Sequence, residues 1–264
     1  MDNNRQSKRR IYYIREYRHF KVSFVETVVF MLLCVLPVGI VTTLFYAPAS
    51  AAACGWLTPS LERVLGTPIE TIGYNFIPGL GQVSALSLDG CLPTRLHAVI
   101  VLCVALLVLI ITRIVRRVLN PVLIYMNMAL AVLVASCIFF IFWPEYFPYT
   151  LSDFSALYMI QQASLNILLP VLLGVALALL PACFGLKYLM VLACVASNYI
   201  MMVARYAGFL VVLAKFSSLY MASLYFSLGV LFDFIRTVMF FTFAAKRVSE
   251  KMQTPEGREQ WHWV

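Results

Sequence analysis

Residues 187–246 read KYLMVLACVASNYIMMVARYAGFLVVLAKFSSLYMASLYFSLGVLFDFIRTVMFFTFAAK, two apolar runs joined by the short polar turn Lys215-Phe-Ser-Ser218. Each run is long enough to cross the roughly 30 Å hydrocarbon core of a bilayer as a helix. Four residues in the runs are ones that hydrocarbon tolerates poorly: Asn198, Arg205, Asp233 and Arg236. Ionised groups at this depth usually face a bundle interior, a partner or a water-filled cavity. The stretch therefore predicts a membrane-crossing helical hairpin with a polar site inside it.

The composition of the whole chain agrees with this interpretation. Hydrophobic residues make up 62% of the sequence and charged residues 12%, and the mean hydropathy is +0.87. Soluble domains carry roughly a quarter charged residues. We therefore predict an all-α integral membrane protein with a bundle of six transmembrane helices. The expected spans are 22–46, 96–111, 121–143, 154–180 and the two halves of 187–246.

The charges predict the topology. Residues 1–21 form a basic tail, interpreted as cytoplasmic with a short interfacial helix, and residues 245–264 form a cytoplasmic C-terminal tail around a transmembrane domain at 22–244. The first span is expected to act as an uncleaved signal anchor. One connecting loop carries three arginines that we expect to contact anionic lipid: Arg113, Arg116 and Arg117. The expected location is a bacterial inner membrane.

The longest connection, residues 48–95, is too apolar for a solvated loop. Prolines, glycines and hydrophobic residues alternate along it. We predict an amphipathic or re-entrant segment at the extracytoplasmic face. Cys54 and Cys91 flank this segment on the oxidising side, so they are candidates for a disulfide that would stabilise it by roughly 2–4 kcal/mol.

Several kinds of chemistry lack their residues. His19, His97 and His262 lie in separate segments, without an HExxH or a cysteine–histidine cluster, so no metal site or haem is predicted. There is no phosphate-binding glycine motif. The net charge of +8 comes mostly from the tails and one loop, so we expect no nucleic-acid partner. No cofactor and no catalytic residue is assigned.

The string Ala182-Cys183-Phe-Gly-Leu-Lys-Tyr188 resembles the catalytic cysteine segment of exosortases, polytopic enzymes that act as membrane transpeptidases. The resemblance implies that Cys183 is a nucleophile assisted by an arginine on the following helix, for which Arg205 is the match. The likeness covers seven residues, phenylalanine follows the cysteine where the family has serine, and no downstream histidine lies in a helix. A small residue in a helix–helix turn is the alternative interpretation.

The intramembrane charges leave two interpretations open. Asp233 and Arg236 share a helix face at i,i+3 and can pair. At 1.5 Å per residue, Arg205 lies roughly 7–8 Å from Asp233 in depth, so its charge is expected to be poorly met within the chain. An internal Arg–Asp–Arg network is one interpretation. The other is that Asn198, Arg205, Asp233 and Arg236 contact a substrate or a partner.

The leading functional hypothesis is a non-catalytic membrane subunit of an envelope complex for secretion, assembly or polymer export. One alternative is a transporter or channel component that uses Arg205 and Asp233. Another is a membrane-embedded, cysteine transpeptidase-like enzyme that uses Cys183 and Arg205. The expected partners are the lipid bilayer and other membrane subunits, and a homo-oligomer is left open.

Overall fold

A computed structural model describes residues 18–20, 23–77, 81–114, 121–252 and 261–263. Its described part contains six helices that are long and apolar enough to cross a membrane, which confirms the predicted multi-pass class. Five of them are α1 (Phe24–Leu65), α2 (Arg95–Ile114), α3 (Pro121–Phe142), α4 (Leu151–Ala178) and α5 (Phe184–Lys215). The sixth, α6, joins Met221–Ser223, a π-helical stretch at Leu224–Leu231 and Phe232–Met252. Short 3-10 turns at Pro144–Tyr146 and Ser218–Tyr220 precede α4 and α6.

The first connection differs from its prediction. Helix α1 does not end near residue 46 but continues through Pro48 and Pro59 to Leu65. It is followed by a β-hairpin, β2 (Glu70–Asn75) and β3 (Gln82–Ser87). The amphipathic or re-entrant form predicted for residues 48–95 is therefore not confirmed.

Glycine and glutamate make the transition from α1 to the hairpin. Gly66 has a φ of 74°, the left-handed conformation typical of a residue that ends a helix, and its N–H donates to the Glu62 carbonyl oxygen at 2.8 Å. The Glu62 carboxylate then accepts from the Ile69 N–H at 3.1 Å. Apolar residues after the turn can pair as strands because the backbone groups at the helix end already have partners.

Proline also shapes the first half of α1. A π-helical turn at Met31–Val35 comes immediately before Pro37. Proline lacks an N–H and its ring crowds the carbonyl of the fourth residue before it, so a wider turn accommodates the ring without breaking the helix.

The start of α4 lies slightly earlier than predicted. Its N-terminal cap is Thr150. The Thr150 hydroxyl accepts from the Asp153 N–H at 3.1 Å, and the Asp153 carboxylate accepts from the Thr150 N–H at 2.9 Å. This reciprocal pair is a capping box, in which the acidic residue occupies the third helical position.

The helices divide into a core and an arm. The core consists of α1, α4, α5 and α6 with β3 packed on α1 and α4. Gly174 lets α1 and α4 approach closely, since a Cβ there would lie 2.5 Å from Val35 Cγ2. The arm consists of α2 and α3, which pack mainly on each other. In the most apolar part of each helix, the buried share is 44% for α4 but only 17% for α2 and 6% for α3.

The ends of the chain also meet. Strand β1 (Arg18–Phe20) pairs antiparallel with β4 (Trp261–Trp263). We call this side of the bundle the tail end and the side that carries β2 and β3 the hairpin end. The interfacial helix predicted for residues 1–21 lies outside the described residues, apart from the strand at Arg18–Phe20.

Candidate functional site

The four residues predicted as a contact site come together inside the core. Helix α5 supplies Asn198 and Arg205, and α6 supplies Asp233 and Arg236. Three of the four are less than a tenth exposed, and the Arg205 side chain is 12% exposed. The four residues therefore lie together and bond one another, while their predicted contact with a substrate or a partner stays a prediction.

Asp233 is the centre of the cluster. Its Oδ1 lies 2.6 Å from Arg205 Nη2 and 2.7 Å from Arg236 Nη2. Its Oδ2 accepts from Arg205 Nη2 at 2.7 Å and from Gln162 Nε2, on α4, at 3.1 Å. One carboxylate thus connects three helices through charged hydrogen bonds, which are stronger than neutral ones.

Arg205 finds acceptors for all of its donor nitrogens, so the expectation that its charge is poorly met is wrong. Its Nε donates to the Met201 carbonyl oxygen at 3.2 Å. Its Nη1 donates to the carbonyl oxygens of Leu228 at 2.6 Å and Gly229 at 3.0 Å. Its Nη2 bonds Asp233. The long Arg205 side chain therefore bridges the predicted difference in depth between α5 and α6.

The π-helical stretch of α6 provides the carbonyl groups that Arg205 bonds. A π-helix has a wider turn than an α-helix and is often found at functional sites. Here the carbonyl oxygens of three successive residues accept hydrogen bonds from other helices. Arg205 donates to two of them, and Tyr125 Oη, on α3, donates to the third, Ser227 O, at 2.5 Å. No side-chain pattern in the sequence indicates this feature.

Arg236 completes the network on the tail-end side. Its Nη2 donates to Asn198 Oδ1, and its Nη1 donates to the Ser197 carbonyl oxygen at 3.3 Å. The seven-residue spacing of Asn198 and Arg205 places both on the α5 face that meets α6. Gln162 was not a predicted site residue, although its place in a polar cluster within an otherwise apolar helix was a usable signal.

Several buried polar atoms lack partners. Among the described residues, these include Tyr158 Oη, Gln161 Oε1, Asn198 Nδ2 and Arg236 Nε. Two of them belong to the charged network itself. Buried polar atoms without protein partners commonly bond ordered water, so this part of the core has the chemistry to hold water.

Cys183 lies far from the charged cluster. It is the exposed N-cap residue of α5, and Arg205 lies on the same helix 22 residues later. At 1.5 Å per residue, the two are separated by roughly 33 Å along the axis. They cannot act together on one substrate atom, so the structure does not form the arrangement that the resemblance to exosortases implies.

The candidate disulfide is not formed. Both cysteines are free thiols. Cys54 is fully buried in α1, where its Sγ lies 3.4 Å from the Ser84 carbonyl oxygen, whereas Cys91 is exposed in the loop before α2. The two were paired in the prediction because they flank the segment at 48–95 on the oxidising side. A helix there turns Cys54 toward the hairpin.

The predicted lipid-contacting arginines are only partly within the described chain. Arg113 lies in the last turn of α2. Arg116 and Arg117 lie outside the described residues. The described part contains no group of three or more histidine, cysteine or acidic residues that could hold a metal ion.

A groove on the surface of the core is apolar. It has a volume of about 660 Å³ and runs between α1 and α4, with Val35, Gly39 and Val171 in its lining. A groove of this kind within a membrane-spanning surface suits hydrocarbon chains rather than a polar substrate.

Comparison with known proteins finds no relative of this chain. No protein-family model, no curated protein and no solved structure matches this chain.

Proposed function

We propose that this chain is a non-catalytic membrane subunit of a multiprotein envelope complex, of the kind that serves secretion, assembly or polymer export. The observation that carries the proposal is that Arg205 and Asp233 bond to groups of this chain. The hydrogen bonds of Arg205 and Asp233 are made with α4, α5 and α6 of this chain. Such a cluster holds helices in register, which is the best-attested use of buried ion pairs.

The arm supports the same proposal with a surface suited to a partner helix. Along α2, five of the seven large apolar side chains that are at least half exposed recur at alternating intervals of four and three: Ile100, Val104, Leu107, Ile111 and Ile114. This is the spacing by which one helix packs into the side of another. In the proposal, the core anchors the subunit and the arm contacts a transmembrane helix of a neighbouring subunit.

The test compares two leucines on exposed helix faces. The chain is purified at native expression from its own membranes into lipid nanodiscs, and stoichiometric partners are identified by mass. Leu107→Trp, on α2, should release the partner, whereas Leu44→Trp, on α1, should not. The two variants are matched, because both leucines are more than half exposed and they differ in the helix that carries them. A chain that purifies without a stoichiometric partner contradicts the proposal.

A second candidate function is a transporter or channel component that uses Arg205 and Asp233. It is favoured by the unpartnered buried atoms beside the network, such as Tyr158 Oη and Asn198 Nδ2, because water at these positions would make a polar region within the bilayer. Flux of ions or small anions through liposomes that contain this chain alone, abolished by Asp233→Asn, would favour it. Absence of flux with an intact fold favours the subunit.

A further inference from the structure

The two edges of the β2–β3 hairpin differ in their hydrogen bonds to the rest of the molecule. The outer edge of β3 is sealed by side chains from the helices. Ser84 N–H donates to Ser50 Oγ at 3.1 Å, and Leu86 N–H donates to the hydroxyl oxygen of buried Tyr206 at 2.8 Å. Cys54 Sγ lies 3.4 Å from Ser84 O. Helices α1 and α5 therefore occupy the places where another strand would pair with β3.

The sealed edge determines which groups of β2 face outward. Because Ser84 and Leu86 direct their backbone groups away from β2, the ladder bonds fall on the alternate residue pairs of the register, such as Ile72 with Ala85. Thr71, Gly73 and Asn75 consequently direct their N–H and C=O groups to the free edge. Among the described residues, none bonds to these groups.

This free edge has few of the features that natural proteins use to prevent pairing. Proline, lysine and bulges are the common devices. Strand β2 has neither proline nor lysine, and its one charge, Glu70, stands at its first position. Five of its six residues are exposed and Tyr74 is half-buried. Such an edge is a template for another strand.

We propose that the free edge of β2 pairs with the same edge of a second copy of this chain, antiparallel and centred on Gly73. The two hairpins then form one four-stranded sheet. Thr71 opposes the partner's Asn75, Gly73 opposes the partner's Gly73, and Ile72 opposes the partner's Tyr74. The proposal does not depend on the function proposed above.

One observation and two consequences of the proposed register support a second copy as the partner. The hairpin is bonded to α1 and α5, so every copy presents its edge at the same height above the membrane. The two-fold register places Glu70 opposite position 76 of the other chain, so like charges are not opposed. It also opposes Ile72 with an aromatic residue, a favourable cross-strand pair. Five paired residues in each strand form a small interface, so we expect reversible association promoted by confinement to the bilayer.

Disulfide trapping tests the register. Two differently tagged chains, one with Ile72→Cys and one with Tyr74→Cys, are co-expressed in a Cys91→Ser background, since the Cys91 thiol is exposed. Mild oxidation of intact membranes should yield the mixed dimer as the main product. Two chains that both carry Ile72→Cys serve as the matched control and should cross-link much less, because the register places these positions two residues apart.

A proline variant tests the role of the backbone without removing the hairpin. Proline is tolerated on an edge strand where its nitrogen faces away from the ladder. Thr71→Pro removes one outward N–H from each copy, so the mixed dimer should fall about tenfold, whereas Thr71→Val keeps the N–H and should leave it unchanged. Equal yields for the mixed and matched cysteine pairs, no effect of the proline, or a cross-link to a different protein would overturn the proposal.

Discussion

The core and the arm of this molecule are held together by different forces. In the core, α4, α5 and α6 share one carboxylate, two guanidinium groups and a glutamine amide. In the arm, α2 and α3 pack through small and apolar residues such as Ala98 and Cys137, and the arm meets α6 through neutral bonds from Tyr125 and Ser223. Charged contacts in a membrane are strong but demand complete pairing, whereas apolar contacts compete with lipid tails of the same polarity.

The difference indicates where rigidity is concentrated. Removing one member of a buried charge network leaves the others without a counter-charge, so the core should respond to substitution as a unit. The arm has no such linkage, and its separate neutral contacts should each contribute little. The next four variants test this contrast, in order of decreasing expected effect.

Asp233→Asn should be the most damaging single change to the core. It leaves Arg205 and Arg236 without their shared counter-charge while keeping the shape of the side chain. The free energy of unfolding should fall by about 3–5 kcal/mol, measured by denaturation in detergent micelles. Asp89→Asn, at an exposed loop residue, is the control. A loss of less than 1 kcal/mol would show that the network contributes little.

Arg205→Lys tests whether charge alone is enough. Lysine keeps the charge but lacks the planar fork that bonds Asp233 and the carbonyl oxygens of Leu228 and Gly229 together. We expect a loss of about 2 kcal/mol in the same assay, since charged hydrogen bonds contribute roughly 1.5–3 kcal/mol each. Arg63→Lys, at an exposed position, should be neutral. Equal stability of Arg205→Lys and the native chain would contradict the geometric account.

Gly174→Ala tests close packing between α1 and α4. The added methyl group would lie 2.5 Å from Val35 Cγ2, so either the side chain or the helix must shift. Overpacking of this kind costs about 1–3 kcal/mol. Gly208→Ala is the matched control, because it is also helical and has no atom within 4 Å of the added Cβ. The control should be neutral or slightly stabilising, and the opposite order would refute the close crossing.

Tyr125→Phe should have the smallest effect, because it removes one neutral bond between the arm and Ser227. A loss of about 1 kcal/mol is expected in thermal unfolding. Tyr146→Phe, at an exposed tyrosine, is the control. A loss as large as that of Asp233→Asn would mean that the arm and the core unfold as one unit, and the contrast between them would not hold.

The sequence was most informative where one physical requirement dominates. Hydrocarbon excludes unpaired backbone groups, so long apolar runs become helices regardless of their neighbours. The cost of placing ionised side chains in hydrocarbon likewise identified Arg205, Asp233 and Arg236 as exceptional. The sequence could not predict the π-helical turn of α6, because the carbonyl oxygens of that turn accept from donors on other helices, Tyr125 and Arg205.

The β-hairpin shows the opposite case. Nothing in residues 48–95 distinguishes a helix that continues past Pro48 from an irregular segment, and the strand pairing depends on Ser50 and Tyr206 sealing one edge. The misassigned disulfide has the same origin, since the position of Cys54 depends on how far α1 extends.

The charged helical hairpin at 187–246 shows what the sequence determined and what the tertiary structure determined. The sequence by itself determined that two helices cross the membrane there and that they carry charges in need of partners, because transfer energies depend only on residue type and position along a helix. Only the tertiary structure decided that Arg205 is satisfied within the chain. Its acceptors on α6 are a carboxylate and two carbonyl oxygens, and these reach it only after the helices have packed and one of them has widened its turn.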